Sequence, residues 1–469
     1  MKLPGHWPGL PGKVVSFHIV RPDPADKAGL AGHVPARGAQ SSSERDLKMI
    51  TDHEFALQRQ ISGSKALAHI RELANMGYRF VGTQGDKRSI EYVKGQFKAY
   101  GLEIRETPFR ALAFEDEMPL LKVLSTGEAL EGVIPLFSPS TPKGGIEADA
   151  VWLGDGEEED YKRVDVKGKI VILTEETLGY SKFWLGTFAD RAARAGAVGI
   201  IFIHPMPWPY RMSMEAGNSN LAKRFCEKKL PAVCISAVGG LKLMRAFSTG
   251  NCKVRMETKT VNEERESVIL SGILKGREFP EETIGILAHR DNAIGPGAND
   301  NGSGTGILLE VARVLSKTKP GRSIEFISTT AEEDATPGAW TYCQVHKAEL
   351  VKNMKALLDM DMVSVGSIVK QVERGEWPDC EPIVHPDWLM KMVDQVAADL
   401  GYGFGRMTAS WGVPEEGRFN EIGVPATVFW AADDPYYHSV HDSIDKINPN
   451  NLKAVGDTIA LVAWRLANP

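Results

Sequence analysis

The stretch TIGILAHRDNAIGPGANDNGSGTGILLEVARVL, Thr283 to Leu315, joins two apolar runs of different periodicity through a glycine-rich loop. TIGILAH is short and almost continuously apolar, the pattern of a strand buried on both faces. GTGILLEVARVL carries its apolar residues at helical spacing. The same alternation recurs around it, in SVILSGIL, SIEFISTT, MKALLDMDMV, the helix WLMKMVDQVAADLG and the strand PATVFWA. Alternation of this kind implies an α/β fold, with a mostly parallel central sheet and helices on both faces. In such folds chemistry sits in the loops beyond the carboxyl ends of the strands.

Those strand ends carry metal-binding side chains. ILAHRD ends in His289 and Asp291, the glycine-rich loop holds Asp300, FISTTAEED delivers Glu332 and Glu333, ALLDMDMV contains Asp359 and Asp361, and YYHSVHDSID contributes His438, His441 and Asp442. Taken singly, each has an ordinary explanation: a strand-end histidine is usually a satisfied structural group, and Asp300 could simply cap the following helix. Their convergence on one rim is what the ordinary explanations miss. Two histidines with several carboxylates and no thiolate suit hard or borderline divalent ions, zinc first, with manganese or cobalt as alternatives. The set exceeds what one catalytic zinc needs and matches two ions about 3.5–4 Å apart with a shared carboxylate, which together activate a water. Adjacent carboxylates at a strand end point in different directions, so Glu333 is expected to bind an ion and Glu332 to serve as general base.

The rest of the chain sets limits. At 469 residues it is long enough for more than one folded unit. A net charge of −6 gives no basic excess to draw it to nucleic acid or an anionic membrane. Five cysteines without a C-x-x-C pair indicate neither a disulfide framework nor a thiolate zinc site. With no secretory signal and no spanning segment in view, a soluble cytoplasmic protein is expected. Residues 1–60, rich in Pro, Gly, Ser and charge, read as an extended arm. From about Ser64 the texture is helical, in KALAHIRELANM and SIEYVKGQFKAYG. Between 118 and 264 it changes to short apolar runs, GKIVILT, AGAVGIIFI and LPAVCIS, which read as buried strands of an inserted module. The catalytic part is expected at 61–117 and 265–469.

AHRDNAIGPGANDNGSGTGILLEVARVL, TTAEED, LLDMDMV and DPYYHSVHDSID, in this order, resemble the co-catalytic dizinc aminopeptidases and their glutamate carboxypeptidase relatives. The module resembles the protease-associated domain inserted into many members, through VKGKIVIL, ADRAARAGAVGIIFI and LPAVCIS. The resemblance implies that His289 and Asp361 hold one ion, Glu333 and His438 the other, and that Asp300 is shared. It makes Asp291 the acid that orients His289 and Glu332 the base, and leaves Asp359 and His441 outside the ligand set. Tyr437 is a candidate for polarising the scissile carbonyl. The chain departs from the family in DATPGAW and WGVPEEGRF, so substrate preference does not carry over; Glu415, Glu416 and Arg418 are candidates for recognising a charged substrate end. Release of an N-terminal residue from a peptide is the expected reaction. The alternatives are a carboxypeptidase or small-molecule amidase, with Arg290 and Arg418 as a carboxylate clamp, or a receptor-like protein that has lost catalysis. The module is expected to lid the site or restrict substrate size.

Overall fold

The computed structural model describes residues 50–174, 185–214, 228–248, 250, 252–366, 368–375, 382–409, 414–431 and 433–469. Most of the expected arm lies outside the described residues, and its last part is corrected. Asp52–Gln58 is a helix, opened by a reciprocal capping box between Thr51 and Glu54. It buries Leu57, and Glu54 accepts a hydrogen bond from Arg465 Nε at 2.7 Å.

In chain order the strands are β1 (Glu103–Asp116), β2 (Leu120–Val123), β3 (Ile146–Gly154), β4 (Ile170–Thr174) and β5 (Gly199–Ile203). They continue as β6 (Ala232–Ile235), β7 (Lys253–Glu257), β8 (Thr260–Leu274), β9 (Phe279–His289) and β10 (Arg322–Thr329). The last are β11 (Met354–Asp361), β12 (Lys370–Gly375), β13 (Ile383–Val384), β14 (Gly405–Ala409) and β15 (Ala426–Trp430). The larger sheet runs β1-β8-β10-β9-β11-β15-β12-β13, with β14 beside β12. The smaller runs β2-β7-β3-β4-β5-β6 and is built from the segment between β1 and β8, so that segment is an insertion into the larger sheet.

The larger sheet is more mixed than the alternation suggests. Only its centre, β10-β9-β11-β15, is a continuous parallel run. At one side β1 and β8 form a long antiparallel ribbon. β1 is half solvated, and its charge-rich EIRETPFRALAFED hides the alternation that its burial follows. The parallel centre points the carboxyl ends of four strands the same way, which brings His289, the loop after Thr329, Asp361 and the loop after Trp430 together.

The helix Gly302–Leu315 is buried on every face. It packs against helices Gly63–Asn75 and Pro449–Ala467, the second of which the sequence reading did not single out. Its glycines make close approach possible on both sides: a Cβ on Gly306 would lie 2.9 Å from the Ala66 carbonyl oxygen of the first of these helices, and one on Gly304 2.3 Å from the Met360 carbonyl oxygen of β11. Gly304→Ala should therefore destabilise the fold by about 1–3 kcal/mol. Gly95→Ala, at a helical position where a Cβ meets nothing within 4 Å, should be neutral or stabilising by about 0.4–1 kcal/mol. Denaturant unfolding of both variants checks the contrast.

Candidate metal centre

β9 ends on His289, whose carbonyl accepts the Thr305 hydroxyl at 2.6 Å, tying the strand to the start of the buried helix. That helix is capped by Asn301, whose side chain accepts from Gly304 N. The capping role is thus filled by Asn301, and Asp300 is left to face the site. Asp300 Oδ1 lies 3.7 Å from His289 Nε2 and its Oδ2 lies 3.3 Å from His438 Nε2. One carboxylate spans two histidines, as a shared ligand must. Asp361, at the end of β11, approaches His289 Nε2 at 3.2 Å. Glu333 approaches His438 Nε2 at 2.8 Å. The ligating atoms fall into two groups, His289–Asp300–Asp361 and Asp300–Glu333–His438, each with its atoms within 4.8 Å of one another.

The surroundings fix these side chains. Asp291 sits 3.3 Å from His289 Nδ1 and accepts the backbone N–H of both Glu332 and Glu333, at 3.3 and 3.4 Å. It joins the first histidine to the paired glutamates. Asp442 accepts from Asn299 N at 2.7 Å and Asp300 N at 2.9 Å and so sets the backbone that carries the shared carboxylate. Arg79 is fully buried and donates to the carbonyls of Arg290, Pro296 and Gly297, holding the whole loop after β9. Ala331, Ala335, Thr336 and His438 all have left-handed backbones, with φ of 50 to 65°. Non-glycine residues take that conformation rarely, and it clusters where a site is over-determined by its surroundings.

So many buried acids repel one another. Burial and then Asp300 push the Glu333 carboxyl up to about 7. Glu332 is held well above its ordinary range by burial, opposed by His289 and reinforced by Asp361, Glu333 and Glu415. Burial raises Asp361 as well. Burial disfavours the charged form of His438, yet Glu333 and Asp300 outweigh it and lift its pKa to about 10. The cluster on its own would keep protons that cations can replace. A donor set of two imidazoles and three carboxylates, all buried and aimed at two common points, fits two divalent ions.

The other sequence candidates separate. Tyr437 lies against the ligand His438, with ring centroids 3.7 Å apart. Asp359 accepts from Met360 N and Glu416 N and falls in neither ligand group. His441 packs on Trp208. Glu415 is buried; its Oε2 bonds the Thr329 hydroxyl, its Oε1 has no hydrogen-bond partner, and burial pushes its carboxyl up to about 8. Glu416 is also buried, 2.9 Å from His385 Nε2.

The structure overturns two of the expectations. Arg290 is no substrate clamp: its guanidinium is fully buried and engages Asp86, Ser267 and the carbonyls of Val268, Ser328 and Thr329. Next to His289 in sequence, it points to the opposite face because side chains alternate along a strand. Arg418 donates to Thr336 and Glu421, bracing the loop after the glutamate pair. Arg79 and the positioning role of Asp442 do not emerge from the sequence: Arg79 lies between two segments read for their helices, and Asp442 stands there only among the candidate metal-binding side chains.

An α/β core with two abutting ligand groups at the carboxyl edge of its sheet is that of a metal-dependent hydrolase. Residues 270–463 match the model of Peptidase family M28 and residues 135–243 that of the PA domain. These matches place similarity to peptidase family M28 in the region that holds the two ligand groups, and similarity to the PA domain in the inserted segment. The chain is 24% identical to aminopeptidase YwaD of Bacillus subtilis over 438 residues, 90% of this chain and 86% of that protein. It is 23% identical to carboxypeptidase Q of Xenopus laevis over 371 residues, 76% and 74% of the two chains. The solved structure of BSAP, a zinc aminopeptidase from Bacillus subtilis, superposes with a TM-score of 0.68 at 23% identity, covering 87% of this chain and 96% of that one.

Because protons held by the ligands must leave before ions bind, metal affinity should fall with falling pH, most steeply below about 7 where Glu333 gains its proton. Each displaced proton makes this about tenfold per pH unit. Titration of the metal-free chain with zinc against a competing chelator at several pH values checks the slope.

Proposed function

We propose that the protein is an aminopeptidase that hydrolyses the amide bond after the N-terminal residue of a peptide, with two divalent ions, zinc first, held by His289, Asp300, Asp361, Glu333 and His438. The observation that carries this reading is the division between the adjacent glutamates. Glu333 is engaged by His438, whereas Glu332 is partly exposed and its carboxyl is raised above the ordinary range, which favours its taking up a proton. When bound, the ions would supply positive charge to the scissile carbonyl and lower the pKa of the attacking water.

Glu332 takes the proton from that water as its oxygen adds to the carbonyl carbon. It returns the proton to the amide nitrogen as the C–N bond breaks. The Tyr437 hydroxyl is assigned to donate to the carbonyl oxygen as negative charge builds there. Glu415, with one carboxylate oxygen unpaired, is assigned to the free α-ammonium group of the substrate. The carboxypeptidase reading needs a basic clamp, and the two arginines offered for it are both engaged elsewhere. The receptor reading requires lost ligands, whereas all five ligand positions and Glu332 hold competent side chains. Among the described residues no helix is long and apolar enough to cross a membrane. The buried free thiols of Cys234, Cys252 and Cys343 suit a reducing compartment, and we place the protein in the cytoplasm.

Glu332→Gln should retain both ions and lower kcat by about 10²–10⁴-fold, read from metal content and hydrolysis of an aminoacyl-anilide panel. A wild-type chain that binds two ions but cleaves only N-blocked or C-terminal substrates would overturn the aminopeptidase assignment. Glu415→Gln should raise KM for substrates with a free N-terminus by about tenfold or more, the worth of a charged hydrogen bond, and leave N-blocked substrates unaffected.

A further inference from the structure

The inserted domain sends one segment, Trp208 to Arg211, into the neighbourhood of the metal ligands. We propose that this segment is a positioning element of the metal centre, which holds His438 in the orientation that presents Nε2 to an ion. The proposal rests on the two-ion reading above.

Three observations carry it. First, His438 Nδ1 lies 3.0 Å from the Arg211 carbonyl oxygen. A carbonyl only accepts, so Nδ1 keeps its proton, and Nε2, which faces Asp300 and Glu333, is the nitrogen left to give up its proton and take an ion. Second, Arg211 N donates to the His438 carbonyl at 2.8 Å. The two residues are therefore clasped in both directions, across a ligand whose own backbone sits in the left-handed region, at φ 50°. Third, the neighbouring aromatic rings stack on the same loop. Tyr210 lies over His438 with centroids 5.5 Å apart and planes at 26°, and Trp208 over Tyr436 at 5.3 Å and 21°.

The segment is anchored on both sides. The Arg211 guanidinium is buried, pairs with Asp116 at the end of β1 at 2.6 Å, and donates to the Ala293 carbonyl in the loop after His289. It also lies over the rings of Phe114 and Tyr78. Within the inserted domain, Met212 accepts from Leu136 N and Met214 donates to Leu136 O. The clasp on His438 is held between these two anchorages. On this reading the inserted domain is part of the metal site itself, rather than only a lid over it. Removing it would cost metal at the Glu333–His438 position before it changed which peptides are accepted.

The test uses the full chain, purified metal-free and titrated with zinc against a chelator, with cobalt(II) absorption as a second signal of ligand geometry. The variants are Arg211→Ala, which removes the anchor, and Arg211→Lys, which keeps a cation beside Asp116. Arg211→Ala should weaken one of the two ions by about tenfold or more, leave the other near its wild-type affinity, and alter the cobalt spectrum; Arg211→Lys should restore part of the loss. Two wild-type affinities in Arg211→Ala, or equal weakening of both ions, would overturn the proposal. Should Arg211→Ala fail to fold, Trp208→Ala is judged by the same criteria. A wild-type chain that does not bind two ions would refute the two-ion reading instead, so the two failures are distinguishable.

Discussion

Crowding of negative charge in a buried pocket is the constraint on which the rest of this structure depends. Asp300, Glu333 and Asp361 are buried with two histidines, and Glu332 stands partly exposed beside them. Left alone, such a cluster would relax by swinging side chains outward or by keeping protons. Here the backbone gives the side chains little freedom to do the first. Asp442 fixes the amides at Asn299 and Asp300, Asp291 fixes those of Glu332 and Glu333, and Asn301 ties the start of the buried helix to β11 through the Met360 carbonyl. The cost of holding these groups together is borne by the fold and relieved by cations.

The parallel centre of the sheet is the other half of the arrangement. It supplies ligands from strand ends that are neighbours in space, so each need be positioned only by its own strand and the first turn of loop beyond it. The antiparallel ribbon at one side carries the inserted domain, and through Asp116 and Arg211 that domain reaches back to the last ligand.

His289 and Asp361 were legible as candidates because each closes an apolar run, which marks a strand end with little help from tertiary context, whereas Asp300 and His438 lie further into their loops. The paired glutamates were legible as candidates because they follow the run ending at Thr329 within a few residues. What could not be read were residues whose role lies in a distant partner. Arg79 serves a loop more than 200 positions away, and Arg211 serves a histidine at a separation of 227. Nothing in their local sequence announces either contact. Arg290 shows the converse error: adjacency to a ligand suggested a shared site, whereas strand geometry sends neighbouring side chains to opposite faces. The mixed character of the sheet escaped because β1 is too charged for its alternation to stand out, and the helix at Asp52–Gln58 because it follows directly on a stretch rich in Pro, Gly, Ser and charge.

The ribbon of β1 and β8 also bears on the order in which the chain folds. Its outermost partners are Asp116 and Thr260, so forming it from an open chain would close a long loop at considerable entropic cost. Next to that pair, β2 and β7 bring Leu120 opposite Glu257 inside the insertion. Once the smaller sheet has assembled, the two ends of the ribbon are already side by side and in register. The edge of the catalytic sheet can then zip from that end, each rung a short step from the last. The insertion thereby acts as a template for the register of the sheet it interrupts.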